Sequence, residues 1–281
     1  MCGIVAAVGQ RDVTEILLEG LRRLEYRGYD SAGVALLNDQ GDLQSSKHPG
    51  KVAVLEEALA TSPVMGVTGI AHTRWATHGV PNTINAHPHI SGNRIALVHN
   101  GIIENHQALR ESLVGRGVTF ASDTDTEVIV HLINAEMEAQ PSLLKAVQQV
   151  LPRLEGAYAL AVLDAQKPGL LVVARAGSPL VLGVGMGESY AGSDTLALRP
   201  VTDRFVYLEE GDTAELTADS YTIYSHDGHA VEREITRIEA SDDNGALGDY
   251  DHYMLKEIHE QPARLRDTVS IDWRSDDCFG D

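Results

Sequence analysis

The chain has 281 residues, enough for one large domain or two small ones, and its 43% hydrophobic content is ample for a packed core. Its 22 Lys and Arg against 41 Asp and Glu give a formal net charge of −19. That balance argues against nucleic acid or an anionic membrane as a main partner, because both need a basic surface.

The first apolar run, Ile4 to Val8, lacks the positive start and cleavage pattern of a signal peptide and reads as a buried strand. No run approaches the roughly 20 apolar residues that span a bilayer. A cytoplasmic protein is therefore expected, with Cys2 and Cys278 reduced rather than bridged. Helical spacing follows over Val13 to Glu25, where Ile16, Leu17, Leu21 and Leu24 share a face. Gly33 to Leu37 reads as a strand, Val52 to Ala60 as a helix, and Gly69 to Ala71 as a short apolar strand. Arg94 to Val98 is strand-like, and helical periodicity returns at Asn105 to Gly115, Thr126 to Glu138 and Leu143 to Leu154.

Beyond that point the chain is mostly short strands: Ala157 to Leu163, Leu170 to Ala174, Leu180 to Val184, Arg204 to Leu208, Thr213 to Leu216 and Tyr221 to Tyr224. Short strands joined by tight turns favour antiparallel pairing, so two antiparallel sheets flanked by helices are expected, an α+β fold. Glu239 to Asp251, rich in Asp, Gly and Asn, reads as an acidic linker. His252 to Thr268 has helical character, and Ser270 to Asp281 carries no pattern.

Six segments are weighed for chemistry. Cys2 follows an initiator Met that is commonly removed before a small residue. The exposed α-amine has a reference pKa of about 7.7–8.0, so one residue can supply both a thiol nucleophile and its base. Taken by itself, Cys2 reads more readily as a small hydrophobe in a buried strand. Thr73 to Gly79 gathers Arg74, Thr77 and His78, which suit a carboxylate, beside Trp75, which suits a cover over a small ligand.

In His99-Asn100-Gly101 an amide and a backbone N–H can meet one oxygen, although Asn-Gly alone favours a hairpin turn. Ser122 to Glu127 reads as an N-capping box, or as a loop that turns one of its aspartates, Asp123 or Asp125, inward toward an ammonium group. His87 and His89 alternate on a strand, but no third ligand follows at a familiar spacing, so no metal or other cofactor is expected. Gly183 to Gly187 lacks the spacing of a phosphate loop and reads as turns between strands.

Six strings occur together in one order: Met1 to Val5, Leu24 to Gly33, Thr73 to Gly79, Asn85 to His89, His99 to Gly101 and Thr124 to Glu127. With them the chain resembles the glutaminase domains of the glucosamine-6-phosphate synthase family, the glutamine–fructose-6-phosphate aminotransferases, from Met1 to about Pro262. The resemblance implies an N-terminal-nucleophile fold, a four-layer αββα sandwich, over residues 1–240, followed by a linker and tail over 241–281. It implies that L-glutamine is the substrate and that Cys2 attacks its side-chain amide with the α-amine as base. Asn100 and Gly101 are then the oxyanion donors, and Arg27 supports Cys2. Arg74, Thr77 and His78 hold the substrate carboxylate, Asp125 holds its ammonium group, and Trp75 is a gate.

Family members continue into a sugar isomerase domain. That partner is expected but absent here, and the tail from Ser270 does not resemble the family's continuation. Glutamine hydrolysis without sugar-phosphate synthesis is therefore expected. The alternatives are a stand-alone ammonia donor to another synthase or a non-catalytic glutamine-binding remnant. Retention of Cys2, Arg74, Asn100 and Asp125 favours activity.

Overall fold

The computed structural model describes residues 2–76, 79–238, 250, 254–256, 258–259 and 261–262. The chain divides into two compact units, Met1–Glu239 and Ala240–Asp281. In the second unit, 254–256, 258–259 and 261–262 are helical. Most of the expected linker, together with the tail and Cys278, lies outside the described residues.

The first unit contains β1 (Gly3–Gly9), β2 (Ser31–Leu37), β3 (Leu43–Pro49), β4 (Thr68–Arg74), β5 (His89–Ser91), β6 (Ile95–Ile103), β7 (Gly156–Asp164) and β8 (Leu171–Ala176). The short strands β9 (Val181–Val184), β10 (Glu188–Gly192), β11 (Arg204–Tyr207), β12 (Thr213–Leu216), β13 (Tyr221–Tyr224), β14 (Ala230–Val231) and β15 (Ile235–Arg237) follow. Its helices are α1 (Thr14–Leu24), α2 (Val52–Thr61), α3 (His106–Val114), α4 (Thr126–Ala139) and α5 (Leu143–Val150).

The strands form two antiparallel sheets. One runs β15-β11-β9-β10-β1-β4-β2-β3 and the other β14-β13-β12-β8-β7-β6-β5. Alternation along β1 sends Ile4, Ala6 and Val8 into a core shared with Ala96, Val98, Ala159, Ala161 and Leu163 of the other sheet. The many alanines in this layer let the sheets approach closely. Val5 and Ala7 face the opposite way, onto Leu17, Leu21 and Leu24 of α1. On the far side, α4 and α5 pack Ile129, Ile133, Val147 and Val150 against Leu97, Leu160 and Val172. β1 is thus covered on both faces, which is why it reads as one unbroken apolar run. The layers are helix, sheet, sheet, helix.

β3 and β10 escape a periodicity reading for physical reasons. β3 (LQSSKHP) is a half-exposed edge strand without apolar alternation. β10 is five residues long and follows the positive-φ Gly187. α5 stops at Val150, short of the expected Leu154, because Pro152 has no N–H to continue it; a 3-10 turn, Leu151–Arg153, follows. Among the described residues no helix is long and apolar enough to cross a membrane.

Candidate active site

β1 pairs antiparallel with β4, Gly3 opposite Thr73. Cys2, just before β1, is therefore brought to the end of β4 at Arg74, where its side chain reaches Trp75. The Trp75 N–H donates to Cys2 Sγ at 3.2 Å, and the thiol lies 3.6 Å from Trp75 O. Burial pushes the Cys2 thiol above its ordinary pKa, with the Trp75 N–H and the nearby Arg74 charge opposing it. A thiol raised in this way is protonated at neutral pH and needs a base to become a nucleophile.

Asn100 and Gly101 lie inside β6, not in a hairpin turn: Asn100 pairs with Ala159 and Gly101 with Tyr158 of β7. The turn reading of Asn-Gly is corrected by a close approach. Gly101 has φ of 137°, and a Cβ there would stand 1.9 Å from Ala157 O, so only glycine fits. Stacking of the sheets then brings Asn100 to Cys2, 98 residues away, and Asn100 Nδ2 donates to Cys2 O at 3.1 Å.

These groups border a cleft of about 460 Å³ lined by Cys2, Arg27, Trp75, Asn100 and Gly101, together with Ile102, Glu104, Ala157, Ser178 and Pro179. Arg27 stands in a 3-10 turn and forms an ion pair with Asp194, while its Nε donates to Tyr26 Oη at 3.1 Å. Its guanidinium is thus held by Asp194 at the cleft wall. Trp75 is 47% exposed and meets Tyr29 edge-on at 5.8 Å. Gly28 packs against the turn after β4, where a Cβ would come within 2.8 Å of the Arg74 carbonyl carbon. This contact accounts for Gly28 in the Leu24 to Gly33 string.

Two charged residues lie deeper. Arg74 is 4% exposed, and its Nη2 donates to Gly79 O at 3.2 Å. Burial lowers its pKa, and the neighbouring Cys2, Asp30 and Asp125 oppose that shift. Asp125 is also buried and accepts the Ile103 N–H at 2.8 Å. It stands at the N-cap of α4 without capping it through its side chain. Of the two readings of Ser122 to Glu127, the structure therefore supports an inward-turned Asp125.

Glu127 reaches back past the N-cap instead of closing a capping box on it, and accepts the N–H groups of Ala121 and Ser122 at 2.8 and 2.6 Å. Arg110 clamps the same loop from the other side, donating to Ser122 O and Thr124 O at 3.0 Å each. Thr77 and His78, expected beside Arg74, lie outside the described residues. His87 and His89 are buried, and no group of three or more metal-ligating side chains comes together among the described residues. Ile102 and Glu104 continue the β6 motif and were within reach of the sequence. Ser178 and Pro179, from the β8–β9 connection, carry no local signal.

Glu127 gives this loop a pH dependence. Burial pushes its carboxyl up, but hydrogen bonds from His131, Ser122 and Ala121 outweigh that and hold it at about 2, against an ordinary 4.5. A depressed folded pKa means stability that is present above about pH 4.5 and lost as pH falls toward 2. Glu127→Gln is expected to cost on the order of 3 kcal/mol at pH 7. The gap from wild type should close between pH 4.5 and 2 in urea melts; a gap independent of pH would contradict this.

The chain matches a glutamine amidotransferase domain model over residues 72–200. It is 56% identical over 269 residues to a glutamine–fructose-6-phosphate aminotransferase (isomerizing) of Pseudomonas syringae pv. tomato, covering 96% of this chain and 44% of that protein. It is 58% identical to the enzyme of the same name from Vibrio vulnificus, with the same coverage. The chain therefore spans less than half the length of these curated relatives. A solved structure of glutamine phosphoribosylpyrophosphate amidotransferase from B. subtilis superimposes with a TM-score of 0.66 at 26% identity, over 85% of this chain and 50% of that one.

Proposed function

The chain carries a glutamine amidotransferase domain with the N-terminal-nucleophile fold, homologous to part of the glutamine–fructose-6-phosphate aminotransferases, and from that premise we propose that it hydrolyses L-glutamine to glutamate and ammonia at Cys2. The observation that carries the reading is the convergence of the Cys2 thiol, the Asn100 amide and Gly101 on one cleft.

Removal of Met1 frees the Cys2 α-amine, which takes the thiol proton as Sγ attacks the side-chain amide carbon of glutamine. The developing oxyanion is met by Asn100 Nδ2 and the Gly101 N–H. The amide nitrogen of Asn100 has two hydrogens, so the bond to Cys2 O leaves one for this task. The proton passes to the leaving nitrogen, ammonia departs, and water cleaves the glutamyl thioester.

Arg74 offers a planar fork to the substrate carboxylate, with Thr77 and His78 adding donors, and Asp125 offers a fixed anion to the ammonium group. Arg27 braces the cleft and Trp75 covers it. The ammonia acceptor follows from the relatives' name: fructose 6-phosphate, bound by a sugar isomerase region outside residues 1–240. Delivery to a separate synthase subunit is the other arrangement.

Intact-mass spectra of the purified chain, with and without a glutamine-like electrophile, test the reading. Loss of Met1 and a single label on Cys2, blocked by glutamine, are the expected results, with glutamate and ammonia accumulating in unlabelled samples. Retained Met1 or an unlabelled Cys2 would leave a glutamine-binding remnant.

A further inference from the structure

We propose that His72 is a positioning residue for glutamine hydrolysis: its Nε2–H fixes the Asn100 carboxamide so that nitrogen, and not oxygen, faces Cys2. The inference rests on the glutaminase reading above and adds a residue to it.

His72 lies in β4 two residues before Arg74, on the same face, and is 1% exposed. Its Nε2 is 3.1 Å from His99 O and 3.0 Å from Asn100 Oδ1. A backbone carbonyl can only accept, so Nε2 must carry the proton, and one N–H is shared between two oxygens. The Asn100 atom facing His72 is then necessarily its oxygen. The other end of the amide agrees, because Cys2 O, again only an acceptor, lies 3.1 Å from Asn100 Nδ2. Two backbone carbonyls thus settle an amide orientation that side-chain shape alone leaves two-fold ambiguous.

The remaining nitrogen, Nδ1, is buried without a hydrogen-bond partner among the described residues. On a neutral ring protonated at Nε2 it is an unused acceptor; on an imidazolium it would be an orphaned donor on a buried charge. Burial drives the His72 pKa down to about 3, with the Asn100 hydrogen bond opposing and His99 and Arg74 adding to the fall. The ring also stacks on His87 at 4.1 Å, and burial holds His87 far below its ordinary value too. His72 is therefore a permanent Nε2–H donor rather than a proton shuttle. Without that donor, a half-turn of the Asn100 side chain would present a lone pair where the oxyanion forms.

His72→Leu removes the donor, and His72→Gln restores an N–H near the Nε2 position. His72→Leu should lower kcat for glutamine roughly 30- to 100-fold, below the loss of a whole oxyanion donor. KM should stay within about twofold, because the oxyanion exists only in the transition state. His72→Gln should recover to within about fivefold of wild type, at a Tm no higher than that of His72→Leu. Wild-type kcat in His72→Leu, or equal impairment in two folded variants, would overturn the proposal. Nitrogen NMR of histidine-labelled wild type gives a readout independent of turnover and of variant folding. A neutral Nε2–H tautomer from pH 6 to 8 is expected, and an Nδ1–H ring or an imidazolium would overturn the proposal. A wild-type chain without turnover would instead remove the glutaminase reading and leave the tautomer result standing.

Discussion

Cys2→Ala is expected to abolish glutamine hydrolysis, lowering kcat by on the order of 10⁴-fold or more while glutamine still binds. The methyl group has no electron pair to attack with, and among the described residues Cys2 is the sole cysteine. Binding should survive because the charged anchors, Arg74 and Asp125, are held independently of the thiol. Arg74 donates to Gly79 O, and Asp125 accepts from the Ile103 N–H. The measurement is a paired one: ammonia release by coupled assay and glutamine affinity by calorimetry, on a variant whose mass shows that Met1 has been removed. A residual rate within 100-fold of wild type would mean that another group carries the attack. Lost binding with lost turnover would mean that the thiol also shapes the substrate pocket.

Asn100→Ala is expected to lower kcat by roughly 100- to 1000-fold with little change in KM, the usual cost of losing one oxyanion donor. Gly101 is spared, and its backbone N–H supplies the remaining stabilisation. The substitution also removes the hydrogen bond to Cys2 O, so thermal melts must accompany the kinetics. A fall in kcat at a retained Tm assigns the loss to the transition state. Near-normal turnover would contradict Asn100 as a donor. A proportionate rise in KM would place its main role in ground-state binding.

Asp125 shows how local rules and tertiary contacts divide the work. Ser122 to Glu127 has the spacing of a capping box, but Glu127 reaches back to Ala121 and Ser122, upstream of the N-cap. What the spacing could not tell is that the Asp125 side chain makes no cap bond and accepts an N–H from another element instead. The Ile103 N–H that claims its carboxylate belongs to β6, 22 residues earlier. Similarly, Asn100-Gly101 has the local signature of a turn. It is an in-line strand pair because Ala157 O of β7 occupies the space a side chain would need. Edge strand β3 was missed because half its residues face solvent and carry no apolar period.

Within the chain itself, periodicity and apolar runs were enough to place β1, α1, α4 and the strands from β7 to β9. Such elements are decided by which face each residue buries, and that is written at spacings of two or three to four residues. Residue chemistry likewise named Cys2, Arg74, Asn100 and Asp125 as candidates. Only the tertiary structure decided which atoms meet. The β1–β4 pairing brings Cys2 to the end of β4, where the Trp75 N–H meets the thiol, and the stacking of two sheets carries Asn100 to Cys2. His72, an unremarked residue of a strand, becomes the donor that orients the Asn100 amide. Contacts of that kind depend on strand register and sheet separation, which sum over the whole core, and no local window of sequence contains them.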